Sequence, residues 1–277
     1  MSSILLPETL GDELEKMINS FWWGSNKASG KGINWLRWEK LTMRKEHGGM
    51  GFRHLYGFNL TMLGKQGDEN MTVANLVNYS ESKWHITKVQ QLFNQEDAAA
   101  ILQIPLQFLN EDDVLIWRFS RNGNYSVRSD YYHLMEVVIE NNHLKVEGNW
   151  NKMWKLNIPK KVKIFLWRSL RECLPVKERL IRKGVQCDPK CPCCDLNTEN
   201  EWHCFFGCKA AQEVWIEVGM WDNLHQQIDN AAGYKQLVFH LLDNLQSTNM
   251  AQIVMTLWMI HWQTKSKMLE QHATNDV

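Results

Sequence analysis

The chain has 277 residues, room for one or two domains with a sizeable core, and 44% of them are apolar, which excludes disorder throughout. Thirty-one basic residues balance thirty-one acidic ones, so the bulk charge by itself points to no polyanionic or polycationic partner. Two enrichments stand out: seven cysteines, five of them between Cys191 and Cys208, and fourteen tryptophans spread along the length.

Taken in order, Leu10, Leu14, Met17, Ile18 and Phe21 recur at helical spacing behind the acids Glu8, Asp12 and Glu13, predicting an apolar helix face that ends at Gly24. Gly48-Gly49-Met50-Gly51 marks a tight turn; without a following Lys-Ser/Thr it does not read as a phosphate loop. Residues 115–119 and 125–128 flank Asn122-Gly123, predicting a β-hairpin there, with Ser129 capping a helix to about Glu140. A helix from Lys160 to about Arg171 places Val162, Phe165, Leu166 and Leu170 inward, and Pro175 opens another that stops at Gly184. Residues 210–218 and 250–270 read as further helices, the latter on Ile253, Leu257, Ile260 and Met268. The fold class is therefore mainly α with a short β-hairpin (α+β).

Residues 1–15 lack the order of a secretory signal, and the longest apolar-rich run, 253–262, is about half the length a bilayer crossing needs. An intracellular chain, in nucleus or cytoplasm and without a membrane partner, is expected, where thiols stay reduced and clustered cysteines favour metal binding. Charge by region revises the neutral total. Residues 151–190 hold twelve Lys or Arg against three acids, a local +9 next to the cysteines, while the remainder of the chain is net acidic.

Cys191, Cys194, His203 and Cys208 form a CxxC…HxxxxC pattern, and three thiolates with one imidazole suit one structural zinc ion in a closed tetrahedral site. Cys193 and Cys204 neighbour ligands and could replace them; Cys187, four residues ahead of Cys191, is a third alternative, and Cys173 reads as core. The basic helices offer phosphate contacts from Lys160, Lys161, Lys163, Arg168 and Arg171, then Arg179, Arg182 and Lys183. Trp154, Trp167 and Trp202 read as core before base-stacking rings. No catalytic residues emerge: Glu111-Asp112-Asp113 reads as a solvated loop, and no small-molecule site is apparent.

The stretch from Trp154 to Arg168, then Leu174-Pro175, Cys191-Pro-Cys-Cys194, Glu201-Trp-His203 and Phe205-Phe-Gly-Cys208, resembles the zinc-binding domain of plant LINE-type (non-LTR) retrotransposon reverse transcriptases. Residues 116–119 and 122–127 are similar to that domain's lead-in. Phe21-Trp-Trp-Gly24, residues 35–41, Gly48-Gly-Met-Gly-Phe52 and residues 58–67 are similar to the connector after the polymerase thumb. The resemblance implies Cys191, Cys194, His203 and Cys208 as the ligands. It also implies a connector remnant over 1–67, a linker over 68–112 where about a hundred family residues are missing, a zinc domain over 113–222 and a helical extension over 223–277. Polymerase, endonuclease and RNase H catalysis would lie outside these segments. The expectation is a non-catalytic, retroelement-derived zinc protein that binds RNA or DNA non-specifically. A zinc-scaffolded protein-interaction module, exposing an apolar patch near Trp215 and Trp221, is the alternative, as is a non-functional fragment.

Overall fold

The structure, a computed structural model, describes residues 6–25, 32–64, 73–81, 83–106, 117–139 and 141–275. Helices dominate. In chain order they are α1 (Glu8–Trp23), α2 (Trp38–Thr42), α3 (Leu55–Gly64), α4 (Ile86–Leu92), α5 (Gln95–Leu102), α6 (Val127–His133), α7 (Trp150–Lys155) and α8 (Lys160–Leu170). Then come α9 (Lys177–Arg182), α10 (Lys209–Glu217), α11 (Trp221–Asp229), α12 (Tyr234–Asn244) and α13 (Ser247–Asn275). Among the described residues no helix is long and apolar enough to cross a membrane. The chain divides into two compact units, residues 1–12 with 54–141 and residues 13–53 with 142–277.

In the first unit a two-stranded antiparallel hairpin pairs β1 (Val77–Asn78) with β2 (Lys83–Trp84), Val77 opposite Trp84. Beside it Val89 and Ala98, from α4 and α5, bury with Leu76. Asn94 caps α5, its side chain accepting the Asp97 amide at 2.8 Å. Packing of α3 and α6 is fixed by hydroxyls: Tyr131 accepts the His54 amide at 2.8 Å, and Tyr125 donates to the Thr61 carbonyl at 2.8 Å.

The short hairpin expected from composition and turn residues exists, but not where Asn122-Gly123 placed it. Leu115 and Ile116 lie outside the described residues. Residues 117–125 form turns rather than strands, with Gly123 in the left-handed region at φ 72°. The helix cap also moves: Ser126 accepts the Ser129 amide at 3.1 Å while the Ser129 hydroxyl reaches back to the Ser126 amide, a reciprocal cap that starts α6 three residues early.

The second unit contains the main core. From α8, Val162, Phe165, Leu166 and Leu170 are buried on the expected face, joined by a fully buried Trp167. Ile253, Leu257 and Ile260 of α13 and Leu237, Val238 and Leu241 of α12 complete it. The Tyr234 hydroxyl donates to Ser169 Oγ at 2.9 Å, tying α12 to α8. The glycine turn serves close approach. A Cβ on Gly49 would sit 1.9 Å from the Met43 carbonyl oxygen, and the Gly48 carbonyl accepts Trp167 Nε1 at 3.0 Å.

α1 departs from its expected orientation. Phe21 is 88% exposed and Met17 68%, whereas Glu15 and Asn19 are buried. Hydrogen bonds decide this: Asn19 Nδ2 and Trp23 Nε1 both donate to the Leu36 carbonyl at 3.1 Å.

Candidate metal centre

The cysteine-rich segment folds as a knuckle. Lys190 and Thr198 form an antiparallel bridge, the Cys191 amide donates to the Asn197 carbonyl at 2.8 Å, and the Glu199 amide donates to the Pro189 carbonyl at 2.9 Å. Between these rungs the chain reverses through Cys191–Asp195, closed by the Asp195 amide on the Cys191 carbonyl at 2.9 Å and by a left-handed Asp195 at φ 53°. The reversal puts the thiols of Cys191 and Cys194 on one side.

The other two ligands come from a π-helical turn, His203–Gly207, whose start is fixed by Asn200 Oδ1 accepting the His203 amide at 2.8 Å. Residues five apart on an α-helix face directions about 140° apart. A π turn closes i to i+5 instead, and here the Cys208 amide donates to the His203 carbonyl at 2.7 Å. The HxxxxC spacing therefore works as a ligand pair because this turn is widened.

The donor atoms of Cys191, Cys194, His203 and Cys208 all lie within 4.8 Å of one another. Cys191 Sγ is 3.9 Å from Cys208 Sγ, and Cys194 Sγ is 3.3 Å from His203 Nε2. A tetrahedral ion with ordinary Zn–S bonds sets sulfur-to-sulfur edges of about 3.8 Å, so the set fits a zinc-sized cation. Four protein donors leave no open coordination position, which suits a folding role rather than water activation.

The Cys193 thiol partner and burial push the Cys191 thiol up, and burial raises that of Cys208 and lowers the His203 imidazole. Buried thiols of this kind ionise when a divalent cation supplies the opposing charge. Backbone amides are already aimed at them: Cys193 and Cys194 at the Cys191 sulfur, Ala210 and Ala211 at Cys208. The last two open α10, whose dipole favours an anion at Cys208.

The surrounding core is aromatic. Phe206 stacks on Trp215 with centroids 6.0 Å apart, Phe205 on Tyr234 at 5.3 Å, and Trp215 Nε1 donates to the Phe205 carbonyl at 2.8 Å. Cys204 is buried and Cys193 half-buried; both thiols lie within 3.9 Å of the Thr264 hydroxyl, Cys193 also partners the Cys191 thiol, and neither these two nor Cys187 belongs to the converging set of four. Cys173 is buried, its thiol pushed up to about 12 by burial.

The basic residues fall into two groups. Lys160, Lys161, Arg182 and Lys183 are exposed, and Lys163 is half-buried with its ammonium donating to the Trp154 carbonyl at 2.9 Å. Arg168 lies over Trp23 at 5.3 Å, Arg182 pairs with Glu178, and Arg171 is only 8% exposed. Arg179 is held between Glu201 and Glu172. Of the rings weighed for stacking, Trp167 is fully buried, while Trp154 and Trp202 are half-buried. Glu111-Asp112-Asp113 lies outside the described residues.

Sequence reading missed Glu199. Its carboxylate is 2% exposed, accepts the backbone amide of Lys177 at the start of α9, and leaves Oε2 without a partner. Burial raises its pKa to about 7. A lone acid among CxxC and His offers no spacing cue, so nothing in the pattern singled it out.

Comparison with known proteins points the same way. Residues 125–215 match the family described as zinc-binding in reverse transcriptase. A putative ribonuclease H protein of Arabidopsis thaliana is 24% identical over 334 aligned residues, covering 88% of this chain and 53% of that protein. An uncharacterized mitochondrial protein of the same plant is 42% identical over 67 residues, 24% of this chain and 43% of that protein. The chain thus spans about half the length of these curated relatives. No solved structure matches. Over residues 125–215 the chain is thus similar to the zinc-binding regions found in reverse transcriptases.

Proposed function

We propose that this retroelement-derived chain is a non-catalytic module in which one structural zinc ion, held by Cys191, Cys194, His203 and Cys208, supports basic helices that bind RNA or DNA without sequence preference. The convergence of the four donors within 4.8 Å carries the zinc half of this reading. Structural zinc contributes on the order of 10 to 16 kcal/mol to folding in small zinc domains, enough to hold the knuckle and the π turn together.

The nucleic-acid half rests on the +9 of residues 151–190 and on the cations that remain exposed, Lys160, Lys161, Arg182 and Lys183. Arg171 and Arg179 serve the interior instead. The closed donor set and the family's zinc-binding description support a structural rather than a catalytic role for the metal. Of the patch expected for the interaction-module alternative, Trp215 is fully buried and Trp221 half-buried, while the neighbouring Ile216 and Val218 are 60% and 46% exposed.

A salt series tests the nucleic-acid reading. Affinity for an oligonucleotide should fall steeply with salt, and Lys160→Glu with Lys161→Glu should weaken binding and flatten the slope by about 2. A flat slope in the unmodified protein refutes it. Magnesium-dependent primer extension or RNA hydrolysis by the purified chain would refute the non-catalytic assignment.

A further inference from the structure

Most of the large aromatic side chains have clear structural work. Trp150, Trp167 and Trp215 are fully buried in the core of the second unit. Trp262 of α13 is different: 62% of it is exposed, so core packing accounts for little of it. Its neighbour one turn earlier, the half-buried Trp258, lies with its ring centroid 6.3 Å away at an interplanar angle of 29°. The ammonium of Lys161, from α8, stands 4.6 Å over the Trp258 ring.

On α8 and on this part of α13 the charge has one sign. α8 contains no acidic residue, and α13, which packs against it, contains none from Ser247 to Met268. Lys160, Lys161, Lys265 and Lys267 are all exposed. Beyond Trp262 the surface deepens into a cleft of about 430 Å³ lined by Gln263, Ser266 and Lys267 of α13, Cys193 of the metal knuckle and Ala211 of α10.

We propose that Trp262 and Trp258, flanked by Lys161, Lys265 and Lys267, form a stacking platform for unpaired bases, so that the ligand of this face is a single-stranded nucleic acid. The proposal rests on the nucleic-acid reading above and specifies its strandedness. Lysines alone take either form, because both present phosphates; an open indole face selects bases free to leave a duplex stack. Charge complementarity favours this occupant over an apolar peptide, which would meet four exposed ammonium groups and gain no counter-charge.

The test uses the zinc-loaded full chain with oligothymidylate of about 16 nucleotides and a duplex of the same length. Trp262→Ala, at an exposed position, should lower single-strand affinity roughly five- to hundredfold. Duplex affinity and the salt slope should stay as they were, because a stacked ring releases no counterions. Trp262→Phe should restore most of the loss. If the unmodified protein binds single strands and Trp262→Ala binds them equally well, or loses both forms alike, the platform is refuted while the nucleic-acid reading stands. If the unmodified protein binds neither form at low salt, both readings fall.

Discussion

The buried carboxyl of Glu199 gives the sharpest single-residue expectation. In the unfolded chain it releases its proton near 4.5; in the folded protein burial holds the proton to about 7. Between those values the folded state binds more protons, so stability falls as pH rises through that window and the cost is complete above it. At 1.36 kcal/mol per pKa unit, the cost at pH 8 is about 3 kcal/mol. Glutamine keeps an acceptor for the Lys177 amide but cannot ionise. Glu199→Gln should therefore change stability little at pH 5 and raise it toward about 3 kcal/mol at pH 8. Urea unfolding of both proteins at the two pH values, with zinc saturating, reads the difference directly, and the shared pH dependence of metal binding cancels. A variant less stable than the parent at pH 8 would refute the reasoning, showing instead that the ionised carboxylate is favoured by the nearby Lys177 ammonium.

Three further outcomes follow from packing and coordination. Trp215→Ala removes a fully buried ring that stacks on Phe206 and donates to the Phe205 carbonyl, and should cost about 3 to 5 kcal/mol by chemical denaturation. Gly148→Ala should destabilise as well, since Gly148 sits at φ 142° and a Cβ there would lie 2.3 Å from the Phe239 ring; Phe239→Leu in the same chain should recover part of the loss. Cys208→Ser should lower zinc affinity strongly, whereas Cys187→Ser should leave it unchanged, as measured by competition with a chromogenic chelator.

Sequence made the metal centre legible because ligand chemistry imposes residue type and spacing together. What it left unseen was the device that makes the spacing work, the π turn that brings His203 and Cys208 to one side. The basic segment was legible as a sum but not residue by residue. Charge counting cannot distinguish Lys160, which faces water, from Arg171, which is buried, or Arg179, which is held between two glutamates. Helix α1 shows the limit of periodicity. Its apolar spacing predicts an inward face, yet Asn19 and Trp23 hydrogen-bond the Leu36 carbonyl and the helix turns with them, leaving Phe21 in solvent. For the hairpin, Asn122-Gly123 does supply a left-handed turn residue, but the strands form at 77–78 and 83–84, two residues each and too short for any alternation to register.

Zinc content measured with and without chelation, alongside far-UV circular dichroism of the intact chain, tests the central claim most directly. One tightly held zinc per chain, with helical signal lost on its removal and regained on its return, is the predicted result. Protein that purifies without zinc, or that keeps its full helicity after the metal is stripped, would contradict it.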